Sequence, residues 1–153
     1  MTIADPVVTQ FLVMFEVRQL TAQQQDGTLC VWCDQLLAAD AIDLGGAGDW
    51  RPHSCPACYL ARKVWRQTYF DWLGHTERCE YCARNGCCTA AYGHRIQHEQ
   101  ARQAAGKPPL RCGACLRSVQ RADLVTPLIY DGGPSAPLLM ITHVRACPTR
   151  RPA

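Results

Sequence analysis

The chain has 153 residues with 11 cysteines scattered from position 30 to position 147, a pattern that suits two or three small modules better than one large apolar core. Its formal net charge of +3 permits contact with phosphates without demanding it, and no apolar run approaches the ~20 residues of a membrane span. No basic, apolar and small-residue leader opens the sequence, so the expectation is a cytoplasmic protein with no membrane association, in which disulfides do not persist and thiols serve metal.

In chain order, residues 5–26 read as an apolar helix, with Asp5 as cap, Pro6 in its first turn and Gly27 after its end. Phe11, Val13, Phe15 and Val17 also alternate, so a strand is the rival reading. Either form leaves an apolar face to bury on the chain or on a partner, including a second copy. Cys30-Val31-Trp32-Cys33 then leads into a hairpin through Leu36, Leu44 and Trp50, broken by glycines, and on to Cys55-Pro56-Ala57-Cys58. A helix begins there, with Leu60, Val64, Trp65, Tyr69, Trp72 and Leu73 as its apolar stripe and Gly74 as its stop.

Cys79-Glu80-Tyr81-Cys82 follows, then a turn at Asn85-Gly86 and a polar helix from Cys88 to about Ala105. After Cys112-Gly113-Ala114-Cys115 the pattern becomes strand-like, from Leu124 to Tyr130 and from Leu138 to Val144 around a glycine turn. The first and last cysteine segments form a faint repeat, in which Ala39-Asp40 matches Ala122-Asp123 and His53 to Cys55 matches His143 to Cys147. These boundaries divide the chain into residues 1–27, a module over 28–74, a helical module over 75–108 and a hairpin module with a basic tail over 109–153. The fold class expected is a small metal-stabilised α+β protein of tandem modules with short hairpins and three helices.

Four Cys-x-x-Cys pairs carry the chemistry. Two thiolates three residues apart on a tight turn can face one cation, and two such pairs complete a tetrahedral Zn²⁺ site. Cys30, Cys33, Cys55 and Cys58 make the first set. Two groupings remain for the others. Cys79 and Cys82 can join Cys112 and Cys115, giving two zinc ions. Alternatively, Cys79 and Cys82 take Cys87 or Cys88 plus His94 or His98, while Cys112 and Cys115 take His143 and Cys147. The second grouping keeps the internal repeat and predicts three zinc ions; His94 and His98, four residues apart, share a helix face. His75 has no argued partner. An iron–sulfur cluster is the rival cofactor, because thiolates serve both.

With a cysteine knuckle, a hairpin and a second cysteine pair at a helix start, residues 30–73 resemble treble-clef zinc fingers, while the last module is similar to a zinc ribbon. That resemblance implies a fold and no single function. His75-Thr76-Glu77 ahead of Cys112 and Cys115 resembles a zinc deaminase in outline, but Arg111 stands where the proline before the cysteine pair belongs. A His-Asn-His nuclease needs a histidine in the hairpin, and Ile42-Asp43-Leu44 has none. A thiol redox sensor at Cys55-Pro56-Ala57-Cys58 lacks the parallel-sheet pattern around it.

The sequence therefore points to a non-enzymatic binding protein. Nucleic acid in a regulatory role is the first partner class, resting on arginine preference and on Arg62, Lys63, Arg66, Arg95 and Arg102 along two helices, with Arg150 and Arg151 in the tail. A protein–protein adaptor using the apolar N-terminal segment and the tryptophans is the second.

Overall fold

The computed structural model describes residues 20–46, 49–130, 138–145 and 147. Most of the expected N-terminal segment, the glycine turn after Tyr130 and the tail arginines Arg150 and Arg151 lie outside them. The described residues form a small α+β protein with four helices and two antiparallel hairpins. None of the helices is long and apolar enough to cross a membrane. Two compact units divide between Arg62 and Lys63.

In the first unit, Thr21 is extended (ψ 163°) and caps a single turn, α1 (Ala22–Gln25), through a reciprocal pair of bonds with Gln24. The helix expected over residues 5–26 therefore does not run through Thr21, and its part before residue 20 lies outside the described residues. The first hairpin is short, with β1 (Ile42–Asp43) pairing antiparallel with β2 (His53–Ser54). Helix α2 (Pro56–Arg78) starts in this unit with proline at its first position, where the missing N–H costs nothing.

In the second unit α2 continues through Gly74, the expected stop, for another turn. Glycine costs about 1 kcal/mol in a helix interior. Burial of Trp72 and Leu73 just before it outweighs that cost. Cys79, extended at φ −88° and ψ 112°, ends the helix and opens α3 (Glu80–Asn85), a helix the sequence reading lacked. Gly86 closes α3 at φ 80°, and a Cβ there would lie 1.8 Å from Val144 Cγ1, so both conformation and space demand glycine. Helix α4 (Thr89–Ala104) follows with Cys88 at its N-cap. Its last carbonyls are closed by the amides of Ala105, Gly106 and Lys107, with Gly106 at φ 66°.

The second hairpin pairs β3 (Val125–Tyr130) with β4 (Leu138–His143), in a register that sets Val125 opposite His143 and Leu128 opposite Met140. The core of this unit gathers Tyr69, Trp72 and Leu73 of α2 with Cys82, Ala91, Leu110, Val125 and Ile141. Tyr69 ties α2 to the hairpin, because its hydroxyl accepts from Leu128 N at 3.1 Å and lies 2.7 Å from the carbonyl oxygens of Leu128 and Met140. The apolar stripe of α2 is narrower than its sequence suggests. Trp65, Tyr69 and Trp72 set its direction at steps of four and three, and Leu60 (60 % exposed) and Val64 (44 %) fall beside it.

Candidate metal centres

Two segments build their cysteine turns with the same backbone. In the first unit, Cys30 N donates to Gln35 O at 2.9 Å and Asp34 N to Cys30 O at 3.1 Å, with Asp34 at φ 56°. In the second, Cys112 N donates to Arg117 O at 2.9 Å and Leu116 N to Cys112 O at 2.8 Å, with Leu116 at φ 61°. The match continues without a gap, from the bridges Leu29 to Leu36 and Arg111 to Ser118 to the turns closed by Ala41 N on Ala38 O and Asp123 N on Gln120 O. Ala41 thus corresponds to Asp123, one residue away from the alignment that identity suggests. Each knuckle then donates to the strand residue two positions before the third cluster residue, Val31 N to His53 O and Gly113 N to Ile141 O.

Each knuckle meets its second pair differently. In the first unit Cys55 O accepts the first helical bond of α2, from Tyr59 N at 3.1 Å, so Cys55 and Cys58 sit on the opening turn of that helix. Cys30, Cys33, Cys55 and Cys58 then converge, with all four sulfurs within 4.8 Å of one another. Gln24 braces the turn from behind by donating to Asp34 Oδ1 at 2.7 Å. In the second unit His143 ends β4, and Cys112, Cys115, His143 and Cys147 converge within the same limit. His143 turns Nδ1 toward Cys115 (3.8 Å) and Cys147 (3.6 Å) and Nε2 toward Asp123 Oδ2 at 3.4 Å. Arg95, only 2 % exposed, fixes that turn by donating to the carbonyls of Gln120 and Asp123.

The middle group is helical and differs from the expected one. His75, Cys79, Cys82 and Cys88 converge at the junction of α2, α3 and α4, with His75 Nε2 3.1 Å from Cys88 Sγ and Cys79 Sγ 4.0 Å from it. His75 and Cys79 stand four residues apart at the end of α2, where Cys79 N still donates to His75 O, and Cys82 follows three residues later in α3. That was the available signal for His75. Neither His94 nor His98 joins the group, and this corrects the expectation. His94 lies beside His75, with ring centroids 5.2 Å apart and the rings tilted by 40°. His98 is 1 % exposed, packed among Trp65, Tyr69 and Trp72, and faces Thr68 Oγ1 at 3.2 Å. Burial, helped by the charge of Arg102, lowers its pKa to about 4 and keeps it neutral. Cys87 turns away, its thiol donating to Cys88 O at 3.5 Å.

The donor sets fit one tetrahedral ion each. A Zn–S bond of ~2.3 Å places two tetrahedral sulfurs about 3.8 Å apart. Cys33 to Cys55 is 3.9 Å, Cys79 to Cys88 is 4.0 Å and Cys112 to Cys147 is 3.6 Å. Electrostatics point the same way. Burial raises Cys30, but amide donors from Cys55, Trp32 and Cys33 prevail and bring it to about 7. The Ala91 amide, then His75, draws Cys88 to about 6. Burial also raises Cys112, and the amides of Cys115, His143 and Ala114 outweigh it, leaving about 6. Their neighbours go the other way: burial and the adjacent sulfurs push Cys82 up to about 12 and Cys147 to about 11, and raise Cys58. Each cluster thus contains one sulfur whose thiolate is favoured. A metal cation among the four donors would stabilise the remaining thiolates.

The carboxylate behind His143 is open to test. Such partners orient a ligating histidine, and their loss costs about 10–100-fold in metal affinity. Asp123→Ala is expected to weaken the third centre by that factor, measured by competition with a chromogenic chelator, and to leave the other two unchanged.

The basic residues expected on helix surfaces are mostly engaged. Arg62 lies over Trp32 and Arg66 over Phe70, at 5.2 and 5.4 Å from the ring centroids. Arg102 Nε donates to Pro108 O, and Arg95 is buried, which corrects the expectation that it contacts nucleic acid; Lys63 is exposed. All eleven cysteines are free of disulfides. No family model matches the chain, and no curated protein or solved structure matches it.

Proposed function

We propose that the protein binds three structural zinc ions, one in each cluster, and uses the framework they hold to bind nucleic acid. The spacing supports single ions over iron–sulfur clusters, since a cluster interposes iron and sulfide between its thiolates whereas these donor atoms lie within 4.8 Å of one another. Four protein donors per ion leave no open position for substrate, which makes the centres structural rather than catalytic. The knuckle, hairpin and helix-borne pair of the first unit support a treble-clef-like module, and the knuckle with His143 at the end of β4 and Cys147 beyond it supports a zinc-ribbon-like one.

The observation that carries the nucleic-acid reading is charge segregation. Residues 100–153 hold eight arginines or lysines and two aspartates, whereas residues 1–99 hold eight basic and eleven acidic residues. Arg111, Arg117, Arg121 and Arg145 are exposed around the third centre, and Asp123, one of the two acids, faces His143. Arginines in this density match phosphates. Binding to DNA is expected to weaken steeply with salt. Arg111→Gln with Arg117→Gln is expected to reduce the slope of log affinity against log salt by about two, one per phosphate contact. Fluorescence anisotropy across a salt series, with zinc content checked in the variant, reads both. Absence of a salt-dependent shift at low ionic strength would refute the reading.

A protein partner is the second reading, and Leu116 favours it. A leucine in the left-handed region costs about 1–2 kcal/mol, yet Leu116 is 71 % exposed at the knuckle tip. A strained, exposed apolar residue suits a contact. Leu116→Gly relieves the strain, and loss of a captured partner in that variant would favour the adaptor.

A further inference from the structure

A groove of about 710 Å³ runs in the second unit between the last two turns of α4, the Lys107–Leu110 segment and the knuckle turn that carries Arg121. Its floor is apolar, made by Ile96, Pro108, Pro109, Leu110 and Val119. Its charge is one-sided. Glu99, the only acid that lines it, is held by Arg95 Nε at 2.8 Å, while Arg102, Lys107 and Arg121 add three cations. Lys107 Nζ is placed 4.2 Å over the Trp65 ring, and Arg121 is exposed at the rim. The negative end of α4 is reduced here, because the carbonyls of Ala101, Arg102 and Gln103 accept from the amides of Ala105, Lys107 and Gly106. Gln100 and Gln103 are exposed among its lining residues, and each amide offers both donors and an acceptor.

We propose that this groove receives one unstacked nucleotide of a single strand, with its base on the apolar floor, its edge read by Gln100 and Gln103, and its phosphate on Arg121. This rests on the nucleic-acid reading above and specifies the strand form. The choice follows from chemistry. Exposed arginines alone serve a duplex as well as a single strand, since both present phosphates. An apolar floor flanked by amides and cations helps only a chain whose bases are available, because a duplex keeps its bases stacked inside. The volume falls within the ~300–1,000 Å³ of small-ligand sites, which suits a single nucleotide.

The test compares a fluorescein-labelled mixed-sequence DNA strand with its duplex by anisotropy at low salt, using zinc-loaded full-length protein. Gln103→Glu puts a carboxylate at an exposed groove position without touching a metal cluster, and Arg121→Gln removes the rim cation. The proposal expects the single strand to bind more tightly than the duplex and each variant to lose about 10-fold in single-strand affinity, the scale of one lost base or phosphate contact. Zinc content and thermal midpoint should be unchanged. Duplex binding equal to or tighter than single-strand binding, or strand affinity unmoved by both variants, overturns the groove proposal and leaves the nucleic-acid reading standing. Binding to neither form overturns both.

Discussion

Stripping the metal with a strong chelator is expected to unfold the first unit completely and to loosen the second without erasing its helices. The asymmetry follows from what each unit buries. Among its described residues the first unit has Cys30, Val31, Leu44 and Pro52 as buried apolar side chains, too little to offset the entropy of ordering the chain. Structural zinc contributes on the order of 10 kcal/mol per site in peptide models, comparable with the whole stability of a small domain. The second unit keeps Tyr69, Trp72, Leu73, Val125 and Ile141 together, so it should remain compact and helical while the knuckle and hairpin lose fixed packing. Amide-resolved NMR before and after chelation distinguishes these outcomes. Full dispersion in both units after complete metal removal would show that the clusters do not hold the fold.

Trp72→Ala is the second large effect. Trp72 is 0 % exposed at the centre of the second unit's core, with His98 6.1 Å away between ring centroids. Removing so large a buried side chain typically costs about 3–5 kcal/mol. The indole Nε1 has no hydrogen-bond partner among the described residues, so the role of the ring is packing. Trp72→Phe is therefore expected to recover much of the loss. Denaturant midpoints at saturating zinc should fall far for alanine and modestly for phenylalanine. Equal losses for the two would mean that the indole N–H has a partner and a role of its own.

How far the sequence reveals these features depends on which force sets each one. The outer two clusters are readable because a Cys-x-x-Cys turn is local: its backbone bonds run within six residues, and the same pattern recurs at Cys30 and Cys112. The middle cluster depends on how three helices meet, which no local rule sets. His94 and His98 look like a ligand face at i and i+4, but α4 carries few large apolar residues. The core instead takes His98 as a neutral ring and Arg95 as a buried clamp on the turn from Gln120 to Asp123. His75 was readable in principle from its spacing to Cys79 and Cys82, and was obscured by the expectation that α2 stops at Gly74. The preference of Gly74 for a helix end is overridden by the burial of Trp72 and Leu73 just before it. Charge segregation was present in the sequence too, hidden by a net charge that averages an acidic stretch over residues 1–99 and a basic one over 100–153.

The most direct test of three single-ion centres is metal content by elemental analysis and native mass spectrometry, on protein purified without added metal, for the natural sequence beside His75→Ala and His94→Ala. The account predicts three zinc ions per chain, loss or marked weakening of one in His75→Ala, and no change in His94→Ala. Two zinc ions in the natural sequence, or iron with sulfide, would contradict it.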